Sequence, residues 1–182
     1  TRFACRTHSD TEVLLRLYER DGIDFLPRLN GMFAIAIFDR RTQSVFLIRD
    51  RIGVKPLYIF DDGGRAVFGS EIKAILPATG SRLMDEEALY HFLTYNYVPR
   101  PFTMFSGVRH VLPGHWLKID RTGTQQFRWW DLASVEQVEQ SEAAWIEEIN
   151  ETLEDAVRIR LRADVPFGAF LSGGVDSSTV VG

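Results

Sequence analysis

Ser172-Gly173-Gly174-Val175-Asp176-Ser177-Ser178 concentrates residue types suited to binding a polyanion. Two adjacent glycines remove Cβ atoms from the backbone, so successive N–H groups can turn inward around an anion, with the dipole of a following helix behind them. Ser172, Ser177 and Ser178 add hydroxyl donors, and Asp176 could hold a divalent cation against the same anion. The G-x-x-x-x-G-K-[ST] spacing and its lysine are absent, so this is not a Walker A loop. The pattern points to an anion such as a phosphate group. The bland alternative is a solvated strand-to-helix turn of small residues.

The elements that must position this loop can be read outward from it. The apolar run Val165 to Leu171 reads as a buried strand feeding the loop, and Thr179-Val180-Val181 as part of the helix that leaves it. A long helix from Ser141 carries Trp145, Ile149, Leu153, Ala156, Val157 and Leu161 on one stripe, and Pro166 separates it from the strand. Glutamates at its start and arginines at its end suit the macrodipole. Between Asp131 and Gln140, glutamate and glutamine replace aromatics. The expected division is therefore a domain over residues 1–130, a linker over 131–140 and the start of a second domain over 141–182.

Upstream, Ser9-Asp10-Thr11-Glu12 reads as a capping box, followed by Val13, Leu14, Leu17 and Tyr18 on one helical face and closed by Gly22. Met32 to Phe38 reads as a strand covered on both faces, forming a hairpin with Val45 to Ile48. Further strands are expected at Leu57 to Phe60 and Ala66 to Phe68, separated by Asp61-Asp62-Gly63-Gly64. A short helix from Ser70 should stop before Pro77, and Asp85 should cap a helix over Glu86 to Tyr95. A last hairpin is expected from His115 to Ile119 and Gln125 to Trp129.

Composition excludes several classes. The 182 residues suffice for one domain, or for a domain and part of another; 45% are hydrophobic and 25% charged, as in an ordinary soluble globular protein. A net charge of -4 gives no electrostatic reason to expect nucleic acid as a partner. The single cysteine, Cys5, rules out an internal disulfide framework and fits a reducing compartment. No apolar run is long enough to span a bilayer, and no secretory signal is evident, so neither membrane association nor export is expected. A first residue Thr1 and a last residue inside a predicted helix read as an internal piece of a longer protein.

The loop resembles the pyrophosphate loop of the ATP pyrophosphatase superfamily, whose members cleave ATP between its α and β phosphates. Other stretches narrow the resemblance: Ser9 to Val13, Leu29-Asn30-Gly31-Met32-Phe33-Ala34, Arg49 to Tyr58, Ser70-Glu71-Ile72-Lys73-Ala74, Leu112-Pro113-Gly114-His115 and Asp164 to Gly168, in that order. Together with the loop they resemble glutamine-hydrolysing asparagine synthetase along nearly the whole chain. The resemblance implies an α+β Ntn-hydrolase-like (αββα) glutaminase portion. It is followed by the start of an α/β adenine-nucleotide α-hydrolase-like domain of the PP-loop ATP pyrophosphatase type. It implies ATP and Mg²⁺ as cofactors, glutamine and aspartate as substrates, and asparagine, glutamate, AMP and pyrophosphate as products. It also implies a cytoplasmic location, and homodimers are usual among bacterial members. Relatives that act on a different carboxylate, such as β-lactam synthetases, share the architecture, and an inactive nucleotide-binding paralogue would keep it too.

Residue roles follow from the same resemblance. Asp10 matches the aspartate that binds the α-ammonium of glutamine; on the pattern alone it is a first-turn helix residue. Leu171 matches a leucine that touches the nucleotide, and Ser172, Gly173, Gly174, Asp176, Ser177 and Ser178 match the phosphate-binding positions, with Asp176 the candidate Mg²⁺ ligand. The family nucleophile is an N-terminal cysteine. Cys5 does not match it and reads as a plain core or surface thiol, and Thr1 reads as an ordinary residue, so no catalytic residue is assigned. The glutamine-binding arginine and the Asn-Gly oxyanion segment have no match either, and the 182 residues alone are expected to be inactive. Arg49 with Asp50, and Glu71 with Lys73, read as structural ion pairs. The four histidines lack metal-ligand spacing. Phe127, Trp129 and Trp130 read as packing between domains.

Overall fold

The computed structural model describes residues 4–80 and 82–182, so Thr1 lies outside the described residues. The chain divides into two compact units, Thr1–Val135 and Glu136–Gly182.

The first unit begins with helix α1, Asp10–Asp21. Its start differs from the expected capping box. The Ser9 side chain makes no cap bond. Glu12 instead reaches further back, accepting from the amides of Arg6 at 3.0 Å and Thr7 at 2.7 Å and from the Thr7 hydroxyl at 2.6 Å. These donors, the Thr7 hydroxyl first, hold the carboxyl down at about 2. Gly22, at φ 62°, ends α1 as expected and opens a 3₁₀ turn, Gly22–Arg28, that buries Phe25 and Leu26.

Strands β1 (Ala34–Asp39) and β2 (Ser44–Arg49) form the expected hairpin, with Ala34 opposite Arg49. Strands β6 (His115–Asp120) and β7 (Gly123–Arg128) complete an antiparallel sheet in the order β1-β2-β6-β7. Side chains alternate across this sheet. Phe46 and Ile48 pack with Tyr18, Phe25 and Leu26 beneath α1. Leu47 and Leu117 point the other way and pack with Ile59 of a second sheet and with Leu57 and Val111, which flank its strands. Full burial of each such side chain contributes about 1.5–3 kcal/mol.

β1 is not covered on both faces as its apolar sequence suggests. It is an edge strand, with Ala36 and Phe38 exposed, and the two-faced burial belongs to its inner neighbour β2. At its end the buried Asp39 accepts from the Tyr18 hydroxyl at 3.0 Å and pairs with Arg41.

The second sheet has the order β4-β3-β5, from β3 (Tyr58–Asp61), β4 (Ala66–Gly69) and β5 (Val108–His110). β5 has no expectation behind it, because a three-residue strand becomes visible only through its pairing with the edge of β3. Helix α2, Ile72–Thr79, packs on β3 and β4 through the buried Ile75. It runs through Pro77 instead of stopping there. The ring fits helical φ and removes one hydrogen bond, and the helix ends at Gly80 in the left-handed region. The unit is thus helix, sheet, sheet, helix. Helix α3, Glu86–Tyr95, starts as expected on Asp85, which accepts from the Ala88 amide at 2.9 Å. The β6–β7 turn is tighter than expected, with Asp120 paired to Gly123 across Arg121-Thr122.

In the second unit, helix α4 spans Glu142–Arg160 and is capped by Ser141, whose hydroxyl accepts from the Ala144 amide at 3.3 Å. Helix α5 spans Val175–Val181. The expected buried strand from Val165 to Leu171 is not formed, and Phe170 is fully exposed. A strand gains its hydrogen bonds from neighbours, and the described residues of this unit include no other strand.

Candidate functional site

The first unit carries a cleft of about 570 Å³ bordered by Asp10, Thr11 and Leu14 of α1, by Met32 to Ala36 at the entry to β1, and by Lys55, Pro56 and Ser70. Asp10 is the first residue of α1, and one carboxylate oxygen accepts from the Thr11 amide at 2.7 Å. A carboxylate on this rim can receive a substrate cation such as an α-ammonium group. Phe33 and Lys55, unassigned from the sequence, belong to the quoted stretches around Asn30 and Arg49. Their shared place on the cleft appears only once the chain is folded.

The walls are set by Arg49 and Asp50, only 2% and 1% exposed. The expected ion pair between them is not formed, because the two side chains serve different backbone segments. Arg49 donates to the carbonyls of Lys55 at 3.0 Å, Gly53 at 3.1 Å and Val111 at 2.6 Å. Asp50 accepts from the amides of Phe33 at 3.2 Å, Val54 at 2.9 Å and Lys55 at 3.0 Å. Burial lowers the Arg49 pKa, and the Arg100 charge adds to this. Glu71 and Lys73 do pair, at 2.6 Å on an exposed surface.

Against Arg49 sits His110, 3.5 Å from Nη1 and 4.5 Å, ring to ring, from Tyr58. Burial, then the charges of Arg49 and Arg100, push it from 6.5 down to about 4. Since the folded value lies below the unfolded one, protonation favours the unfolded chain. This contribution is complete above pH 6.5 and is lost as pH falls through 4. Chemical denaturation midpoints should therefore decline over that interval, and His110→Gln should flatten the decline. Equal slopes in the two proteins would place the acid sensitivity elsewhere.

The aromatic residues expected between domains find partners inside the first unit. Phe127 stacks on Trp116 at 4.2 Å, and Trp129 stacks on Phe33 at 6.2 Å beneath the Arg51 guanidinium. The Trp130 amide donates to the Gly114 carbonyl at 3.2 Å. Cys5 is exposed and unpaired.

In the second unit the structure gathers Ser172, Gly173, Gly174 and Ser177. The Ser172 and Ser177 hydroxyls are 2.9 Å apart, the Gly174 amide donates to the Ser172 hydroxyl at 3.3 Å, and Ser177 donates to the Gly174 carbonyl at 3.1 Å. Gly173 adopts φ 76°, which an L side chain rarely takes. Gly174 is the N-cap of α5, whose first turn carries Asp176, Ser177 and Ser178. Leu171 precedes the loop with its side chain exposed. Asp176 and the serine hydroxyls are hard oxygen donors of the kind that Mg²⁺ takes together with phosphate oxygens. Among the described residues no three His, Cys, Asp or Glu side chains gather as metal ligands. Within residues 172–178 the one carboxylate is Asp176.

Residues 1–130 match a family described as a glutamine amidotransferase domain, and residues 148–182 match one described as asparagine synthase. A putative glutamine-hydrolysing asparagine synthetase of Methanocaldococcus jannaschii is 38% identical over 97% of this chain and 35% of its own length. A glutamine-hydrolysing asparagine synthetase of Bacillus subtilis is 35% identical over 98% of this chain and 28% of its own. A Penicillium rubens protein named amidase chyE is 37% identical over 96% of this chain and 26% of its own. The chain thus spans about a third or less of the length of these relatives. Among the described residues no helix is long and apolar enough to cross a membrane.

Proposed function

Since the chain belongs to the glutamine amidotransferase domain family, we propose that it is part of a glutamine-dependent asparagine synthetase. In this reading glutamine binds in the Asp10 cleft with its α-ammonium on the Asp10 carboxylate. ATP lays its pyrophosphate portion on Ser172, Gly173, Gly174, Ser177 and Ser178, with Leu171 beside the nucleotide and Asp176 holding Mg²⁺. Mg²⁺ would neutralise phosphate charge as pyrophosphate leaves. Aspartate is adenylated on its β-carboxylate, and ammonia from glutamine displaces AMP to give asparagine. Adenylation turns a poor leaving group into a good one, and confinement of ammonia limits its loss to water. A cytoplasmic homodimer belongs to the same reading.

One observation carries it: a glutamine amidotransferase match at the Asp10 cleft and an asparagine synthase match at the glycine loop lie on one chain. A second reading keeps the same machinery and changes the acceptor to another carboxylic acid; a relative named an amidase, and not an asparagine synthetase, keeps that reading open. Exchange of labelled pyrophosphate into ATP by the full-length protein separates the two. Aspartate-dependent exchange is the expected result. Exchange with another acid alone would select the second reading, and none with any acid would leave only nucleotide binding. Gly173→Val should lower the exchange about tenfold or more, because left-handed backbone costs a side-chain-bearing residue about 1–2 kcal/mol where the loop must approach phosphate.

A further inference from the structure

Asp50 makes more backbone contacts than a turn requires. Its carboxylate is buried and accepts from the amides of Phe33, Val54 and Lys55, at 3.2, 2.9 and 3.0 Å. Its own amide donates to the Phe33 carbonyl at 3.0 Å, and its carbonyl accepts from the amides of Gly53 at 3.2 Å and Gly114 at 2.9 Å. One residue therefore joins the entry to β1, the loop after β2 and the entry to β6. Desolvating a carboxylate costs several kcal/mol unless charge-assisted hydrogen bonds offset it. Here backbone amides supply them, so the charge is spent on fixing main chain.

The two segments so fixed form two sides of the Asp10 cleft. Phe33 lies on the β1 side, Lys55 on the loop side, and one oxygen, Oδ2, takes both amides. Arg49 holds the same loop from behind through the Gly53 and Lys55 carbonyls. Its grip does not extend to Phe33 through any side-chain bond, whereas that of Asp50 does. The Phe33 and Lys55 amides are thereby tied to each other through one carboxylate oxygen.

We propose that Asp50 is the positioning residue of the amino-acid cleft, holding the Phe33 and Lys55 walls at the separation that a bound glutamine requires. This rests on the reading of that cleft as the glutamine site. Asparagine at position 50 could accept from Phe33 and Lys55 or from Val54, but not from all three, and it would do so without charge. In the full-length protein, Asp50→Asn should raise the KM for glutamine about tenfold while kcat changes less than about threefold, the pattern of lost uniform binding. A merely structural role would instead lower the amount of active protein at unchanged KM. An unaltered glutamine KM in a folded Asp50→Asn protein overturns the proposal, provided Asp10→Ala raises it. If neither substitution moves it, the glutamine reading of the cleft itself falls, and this inference with it. Should Asp50→Asn not fold, amide hydrogen exchange of the unsubstituted protein decides. Glutamine is expected to slow exchange at Phe33 and Lys55 together with Thr11, and slowing confined to Thr11 overturns the proposal.

Discussion

Gly114→Ala is expected to destabilise the first unit by about 2–5 kcal/mol. Two costs combine: an L side chain in left-handed backbone, about 1–2 kcal/mol, and overpacking, about 1–3 kcal/mol. Gly114 has φ 65°, and a Cβ there would lie 2.5 Å from the Trp130 carbonyl oxygen, a backbone atom that cannot swing aside. Movement is further restrained because the Gly114 amide donates to Asp50 and its carbonyl accepts from Trp129 and Trp130. Gly31→Ala is the natural comparison, since a Cβ at Gly31 meets nothing within 4 Å and its φ is not positive. Its change should stay within about 1 kcal/mol. Urea denaturation of both variants checks this, and similar midpoints for the two would refute the steric account.

Arg49→Met should cost about 3–5 kcal/mol, because it leaves the buried carbonyls of Gly53 and Val111 and the partly buried carbonyl of Lys55 without their donor. A loss of that size lowers the melting temperature of a unit this large by about 10 °C or more. Arg49→Lys should fall between Arg49→Met and the unsubstituted protein. It keeps a buried cation but replaces a planar fork with a point charge that cannot face three divergent carbonyls. A methionine variant that melted like the unsubstituted protein would show that water or neighbouring groups satisfy those carbonyls.

Local hydrogen bonding explains which features were legible in the residues. The β1–β2 hairpin, the Asp85 and Ser141 caps and the Gly22 helix end depend on partners within a few positions, and each was readable. So was the composition of the glycine loop, whose contacts join Ser172 to Ser177 and Gly174. The Ser9 cap failed narrowly, because Thr7 offers Glu12 both an amide and a hydroxyl where Ser9 would have offered one amide. The strand expected before the loop failed for a different reason. Val165 to Leu171 has strand-forming residues, but a strand exists only against a neighbour.

Sequence alone determined the glycine- and serine-rich make-up of residues 172–178 and the local caps and hairpin, because side-chain type and short spacing specify those features. Tertiary structure decided that β2, not β1, is the strand buried on both faces, since strand order assigns edges and interiors. It also decided what Arg49 and Asp50 do. Their adjacent opposite charges suggest a pair, yet Arg49 bonds the Val111 carbonyl across 62 positions and Asp50 the Phe33 amide across 17. A buried charge is satisfied by whichever donors or acceptors the fold brings to it, and chain proximity does not choose them.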